Sequence, residues 1–239
     1  MGTTSGRAVL DRLLAERPTF HYDQTQDWSL GAGPLEILVD RVRPGWRVLE
    51  TGCGYTTVVL AAAGAELITV APSPYEHEAI VAWCRDAGIP TENLHWEEAT
   101  SETALPGREL GTLDLVLIDG AHAFPIPFID WFYAGGALRP GGLLLVDDTQ
   151  VPSPRLLRDF LDAEGARWRR VTEVDNCAVF ERIGDAPLVG MDDWQGQSWA
   201  PVRQTPLERV VALSRRGRGV VRLRTRLRAA LSATSPPHS

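Results

Sequence analysis

The chain has no lysine: all 24 of its basic residues are arginine. We read this as the bias of a GC-rich genome, since arginine clamps on a ligand would not require every exposed lysine to vanish. Cysteine is scarce as well. Cys53, Cys84 and Cys177 are an odd number without C-x-x-C spacing, which excludes a disulfide framework and a zinc cage and points to reduced thiols in a cytoplasm. No run approaches the roughly 18 apolar residues of a membrane span, and the N-terminus lacks the apolar stretch of a signal peptide. Neither is therefore expected. What remains is ordinary: 239 residues, 44% hydrophobic and 23% charged, enough to bury a core without staples and too apolar for global disorder.

The net charge of −7 conceals an asymmetry. Residues 1–202 carry 15 arginines and 30 acids, whereas residues 203–239 carry 9 arginines and only Glu208. A body at −15 makes a poor partner for phosphates, so no nucleic acid is expected. The basic tail has apolar residues at Val220, Leu223, Leu227 and Leu231. It reads either as a basic amphipathic helix for an acidic partner or surface, or as a solvated or self-docking tail.

From about residue 33 to 182, short apolar runs alternate with amphipathic segments. Strands are expected at 46–50, 67–70, 94–96, 113–118, 143–146, 168–174 and 178–182. Helices are expected at 7–16, 34–42, 56–63, 75–87, 128–138 and 155–163. Strands alternating with helices predict an α/β fold, a mostly parallel Rossmann-like sheet covered on both faces. Asp175 and Asn176 form a turn pair, so the last two strands are expected as an antiparallel edge hairpin. We divide the chain into an N-terminal arm or lid (1–32), a catalytic domain (33–185) and a C-terminal extension (186–239).

Ligands of open α/β sheets collect beyond the carboxyl ends of the strands. The first such place is V-L-E-T-G-C-G-Y-T-T, residues 48–57, where Gly52 and Gly54 let backbone N–H groups and a helix N-terminus approach a polar ligand. A dinucleotide site would want a third glycine, yet position 57 is threonine. It would also want an acid about 20 residues on, where Val70-Ala71-Pro72-Ser73 stands instead. A nicotinamide-dependent oxidoreductase is thus disfavoured, though it stays open beside a non-catalytic scaffold of the same fold.

Three ordered segments carry a resemblance. V-L-E-T-G-C-G (48–54), L-I-D-G-A-H (117–122) and L-R-P-G-G-L-L-L-V-D-D (138–148) resemble motif I and the fourth- and fifth-strand ends of the class I S-adenosylmethionine-dependent methyltransferases. Among these, D-G-x-H followed by a double acid looks most like the small-molecule O-methyltransferases related to the catechol and macrocin enzymes. No N-P-P-Y-type tetrapeptide of the amino-methylating branches occurs. The resemblance implies S-adenosyl-L-methionine as cofactor, with Glu50, Gly52, Cys53 and Gly54 cradling its methionine end. It places Glu98, or Glu97 beside it, against the adenine amine, and Asp119 at the cofactor and catalytic end. One departure stands out: the acid that usually ends strand two is missing. Ser73 is the candidate to accept a ribose hydroxyl, without the charge-assisted bond of a carboxylate.

Asp119, Asp147 and Asp148 are expected close together at adjacent strand ends. Carboxylate oxygens suit Mg²⁺ or Ca²⁺ rather than zinc, and like charges so near require a cation or protons between them. The resemblance supports the metal; the alternative is that the acids hydrogen-bond loops and cap helices. His122 is the candidate general base, because imidazole exchanges protons near neutrality, or else a structural histidine bonded to a carboxylate. Ionising a phenol of pKa about 10 at pH 7 costs about 4 kcal/mol, several of which a divalent cation offsets. In the arm, His21, Tyr22 and Trp28 form a lid or pack as a simple extension; 192–199 reads as a substrate-side loop or a packed arm. The acceptor is expected to be a small molecule, methylated on an oxygen, with nitrogen the less favoured alternative. Monomer and homodimer both stay open.

Overall fold

In the computed structural model, residues 6–21, 30–184 and 197–198 are described. The chain divides into two units, Met1–Val189 and Gly190–Ser239, and the first of them contains every helix and strand described. Tyr22, Trp28, the 192–196 stretch and the basic tail lie outside the described residues.

Seven strands form one sheet: β1 (Arg47–Thr51), β2 (Glu66–Val70), β3 (Leu94–Glu97), β4 (Leu113–Ile118), β5 (Leu138–Val146), β6 (Trp168–Val174) and β7 (Cys177–Arg182). Their spatial order is β3-β2-β1-β4-β5-β7-β6. The first five are parallel; β7 runs antiparallel to β5, and β6 antiparallel to β7. This is the Rossmann-like arrangement expected. After β3 the chain crosses to the other side of β1, so the strand order reverses between β1 and β4. At that reversal the connections leave in opposite directions and open a crevice above the strand ends.

The helices are α1 (Gly6–Glu16), α2 (Ala32–Arg41), α3 (Tyr55–Ala62), α4 (Pro74–Asp86), α5 (Ser101–Ala104), α6 (Ile126–Ala134) and α7 (Pro152–Ala163). Alternate residues of each strand feed opposite faces. Leu115 and Leu117 join a core containing Leu10, Leu13, Leu35, Leu38, Val58 and Ile80. Val116 and Ile118 join the other, containing Trp131, Leu157, Phe160 and Leu161. Both faces of β4 are therefore dry, which is why it reads as a continuous apolar run.

Helix α5 was not expected, and two boundaries differ most from the sequence reading. Strand β5 begins at Leu138 rather than 143, because Leu113 pairs with Leu138 ahead of a register shift and the Pro140-Gly141-Gly142 segment is carried within the strand. Helix α6 stops at Ala134 and a 3₁₀ turn at Gly135–Ala137 replaces its last turn. The hairpin turn is as expected: Asp175 and Asn176 both take positive φ, 47° and 63°, the pair of left-handed residues that matches strand twist. Its tip clasps the start of α2, where the Gly33 amide donates to Asp175 Oδ2 at 2.9 Å. A Cβ on Gly33 would stand 2.5 Å from the Val174 side chain, so only glycine permits this approach. The clasp anchors the segment that leads from the arm into β1.

Candidate active site

A cleft of about 820 Å³ lies above the ends of β1, β2, β4 and β5. Its centre is the turn between β1 and α3. Gly52 has φ +82°, and a Cβ there would fall 2.1 Å from the Asp119 carbonyl oxygen. Any side chain at this position would collide with backbone and force an unfavourable left-handed conformation. The loop is therefore packed tightly onto the β4 end, leaving Gly52 and Cys53 facing the cleft.

Glu50, which the sequence suggested as part of the cradle, is fully buried instead of lining the cleft. Its Oε1 accepts from Thr57 at 2.6 Å and Thr69 at 2.8 Å, and its Oε2 accepts from Thr56 at 2.9 Å. Thr57 Oγ1 in turn accepts from the Gly54 amide at 3.0 Å. One carboxylate thereby ties β1, β2 and the first turn of α3 beneath the glycine turn. Burial pushes its pKa up to about 7, against the opposing pull of the three hydroxyls.

On the β2 side, Ser73 caps α4, its Oγ accepting from the Glu76 amide at 3.3 Å; it does not line the cleft. Glu76 does, and it was not picked out from the sequence. Its carboxylate bonds His21 Nδ1 at 2.9 Å and accepts from the Cys53 thiol at 3.3 Å. The His21 bond, partly opposed by burial, holds the Glu76 carboxyl below its ordinary range, while burial and the Glu76 charge push the Cys53 thiol up and keep it a donor. The signal was present as S-P-Y-E, a serine cap followed three residues later by an acid, but such a pair ordinarily serves only the helix.

Glu98 and Glu97 were expected near the adenine. Glu97 pairs with Arg108 at 2.6 Å and Glu98 lies 3.9 Å from His77, and neither lines the cleft. The wall there is Ala99, Thr100, Ser101 and Glu102, opposite Val70, Ala71 and Pro72. Register explains the difference: Glu97 ends β3, and the chain turns over the cleft only with the next residues.

At the other end, Asp119, Asp147, Asp148 and His122 come together as expected. Asp119 and Asp147 hydrogen-bond one another, which needs one shared proton or a cation in its place. Burial first, then the charges of Asp147 and Asp148, raise the Asp119 pKa well above its ordinary value. Burial likewise raises Asp147, to about 7. Asp148 has φ +52°, a strained conformation for a residue other than glycine. It turns the carboxylate to His122 Nε2, 2.7 Å away, and to the Gln150 amide at 2.6 Å. A proton on Nε2 leaves Nδ1 as the lone-pair nitrogen, the side of the ring able to take a proton. Among the described residues, no three His, Cys, Asp or Glu side chains are gathered as a ready metal cage, and Asp148 is engaged by His122. The donor chemistry itself, carboxylate oxygens in close repulsion, is that of a hard divalent cation.

Comparison with known proteins agrees with this geometry. Residues 49–149 match the family model described as a methyltransferase domain, a span that runs from β1 to just past the double acid. An O-methyltransferase assignment has been given to a Klebsiella pneumoniae protein whose structure aligns with a TM-score of 0.56 at 21% identity, covering 74% of this chain and 90% of that one. The O-methyltransferase TomG from Streptomyces achromogenes, involved in tomaymycin synthesis and solved with its cofactor S-adenosylmethionine, aligns at 0.52 and 19% identity over 77% and 92%. The C-terminal domain of precorrin-6Y C5,15-methyltransferase from Rhodobacter capsulatus aligns at 0.50 and 17% over 76% and 98%. No curated protein matches the sequence. The structural likenesses establish the fold, which serves several acceptors. Residues 49–149 thus match a methyltransferase domain, within the fold that these solved methyltransferases share. Among the described residues, no helix is long and apolar enough to cross a membrane.

The Glu50 network makes a prediction about pH. A buried acid whose folded pKa lies above its unfolded value holds its proton in the folded state, so its contribution to stability declines as pH rises from about 4.5 to about 7. In urea unfolding, Glu50→Gln should gain on the wild type between pH 5 and pH 8, by up to about 3 kcal/mol at about 1.36 kcal/mol per pKa unit. A gap that stays constant across that range would mean Glu50 is ionised throughout.

Proposed function

We propose that this methyltransferase transfers a methyl group from S-adenosylmethionine to an oxygen of a small molecule, with His122 as general base. The carrying observation is the His122–Asp148 pair at one end of a cleft whose middle is the Gly52 turn. When bound, the cofactor supplies an electrophilic methyl carbon on a sulfonium sulfur. The residues present fit it. Gly52 and Cys53 receive its amino-acid end at the turn, and Glu76 replaces the missing strand-two acid as acceptor for the ribose hydroxyls. The half-buried Glu76 carboxylate, already held by His21 and Cys53, offers the charge-assisted bond that Ser73 lacks.

His122 Nδ1 takes the acceptor's hydroxyl proton while Asp148 stabilises the imidazolium that results and fixes the ring's tautomer. Holding the acceptor in line with the methyl group contributes as much as about 7–11 kcal/mol, the value of well-oriented intramolecular reactions. The oxygen acceptor accords with the O-methyltransferases among the structural neighbours. A small acceptor accords with the cleft and with the acidic body. In this reading the Asp119–Asp147 pair would hold Mg²⁺ in place of its shared proton, and the cation would lower the cost of ionising the acceptor. Three free, buried thiols support a cytoplasmic location.

Calorimetry with S-adenosylmethionine tests the cofactor site. The wild type should bind and Glu76→Ala should bind about tenfold more weakly, the value of a lost hydrogen bond to a charged group; a wild type that fails to bind sinks the assignment. Against an acceptor found by screening, His122→Ala should keep cofactor affinity and lose a factor of about 10²–10⁴ in kcat. Full activity in that variant removes His122 as base. EDTA should abolish turnover and added Mg²⁺ restore it, whereas activity indifferent to EDTA takes the metal out of the mechanism.

A further inference from the structure

The double acid after β5 is followed by a threonine that does not line the cleft. Thr149 is buried, and its backbone amide donates to the Asn176 carbonyl at 2.8 Å. Its hydroxyl lies 2.8 Å from that same carbonyl and 3.0 Å from Glu173 Oε1. A hydroxyl has one proton, which these two acceptors share. Both belong to the β6–β7 hairpin. Glu173 is held in turn by Arg158 of α7 at 2.9 Å and by Arg170 of its own strand.

Two residues earlier the chain is fastened in the opposite direction. The Asp147 amide donates to the Ile118 carbonyl at the end of β4, at 3.0 Å, and β4 and β7 flank β5 on opposite sides. Asp148 is the single residue between an attachment to β4 and an attachment to the hairpin, and there it takes φ +52°. A left-handed residue other than glycine persists only where its surroundings over-determine it. The Val151 amide closes the turn on the Asp148 carbonyl at 2.8 Å. Gln150 occupies Asp148 Oδ1 at 2.6 Å, which leaves Oδ2 for His122 Nε2 at 2.7 Å. We infer that Thr149 is a positioning residue: by fastening the loop to the hairpin it holds Asp148 in the left-handed turn that aims its carboxylate at His122. This rests on the reading of His122 as general base. A loop released at Thr149 lets Asp148 relax to negative φ and takes its carboxylate off the ring. His122 then lacks the group that fixes its tautomer and stabilises its imidazolium.

Proton NMR reads the Asp148–His122 pair without any acceptor, because a ring N–H in a charge-assisted bond to a carboxylate exchanges slowly with water and resonates far downfield. Wild type should show this resonance and His122→Ala should lack it. Thr149→Val, which keeps the side chain's shape without its hydroxyl, should lose it; Thr149→Ser, which keeps the hydroxyl, should retain it. With the acceptor found by screening, Thr149→Val should lower kcat at least about tenfold, a part of the factor of about 10²–10⁴ that a general base supplies. Its acceptor KM and its S-adenosylmethionine affinity by calorimetry should stay at wild-type values, and Thr149→Ser should regain most of the loss. Made on His122→Ala, Thr149→Val should cost nothing further, since both act through one contact. If His122→Ala is impaired but Thr149→Val keeps its resonance or its kcat, or adds its full loss to that of His122→Ala, the proposal is wrong and the general base stands. If His122→Ala keeps full activity, both fall. A wild type without the resonance overturns the proposal as well. Should Thr149→Val not fold, Thr149→Ala decides in its place; a threonine that neither can replace in a folded chain is structural, which also overturns it.

Discussion

A carboxylate shut away from water has to be satisfied by the protein, and everything at this cleft depends on how Glu50 is satisfied. Three threonine hydroxyls from the β2 strand and the first turn of α3 converge on it. Because Thr57 also accepts from the Gly54 amide, the chain between β1 and α3 has little freedom to move. That immobility lets Gly52 press against the β4 backbone. A looser turn would spread the ends of β1 and β4 and separate the glycine turn from the acids.

The same treatment of buried charge recurs along the cleft. Glu76 is stabilised by His21 and Cys53, Asp130 by Thr51, and Asp148 by His122 and Gln150. Asp119 and Asp147 stand apart, since each has the other as partner. Acids satisfied by donors preorganise a surface; two mutually repelling ones store unfavourable energy that a proton or cation relieves. This distribution sets the repelling pair beyond β4 and β5 and the satisfied Glu76 beyond β2.

Much of the fold was legible because a parallel sheet buried on both faces leaves a strong imprint. The run 113–118 and the strand 168–174 were read with the boundaries found, and Asp175-Asn176 announced its turn through residues tolerant of positive φ. The β5 start was missed since Pro140-Gly141-Gly142 has the composition of a turn while pairing decides otherwise. In the site, Asp119, Asp147, Asp148 and His122 were foreseeable from their places after apolar runs. Glu98 was misplaced by register at the end of β3, where one residue changes the side on which a group emerges. Glu50 was read as facing a ligand, because a sequence does not reveal whether a carboxylate at a strand end points up or into the threonines below. Asp130, in the middle of an apolar helix, carried no motif.

The clasp between Gly33 and Asp175 joins residues 142 positions apart. During synthesis the arm bearing His21 emerges long before the hairpin that steadies its base. The wall of the cleft near Glu76 is therefore finished only when nearly all of the sheet has left the ribosome. Incomplete chains, truncated before β6, would carry the glycine turn without its fastened rim.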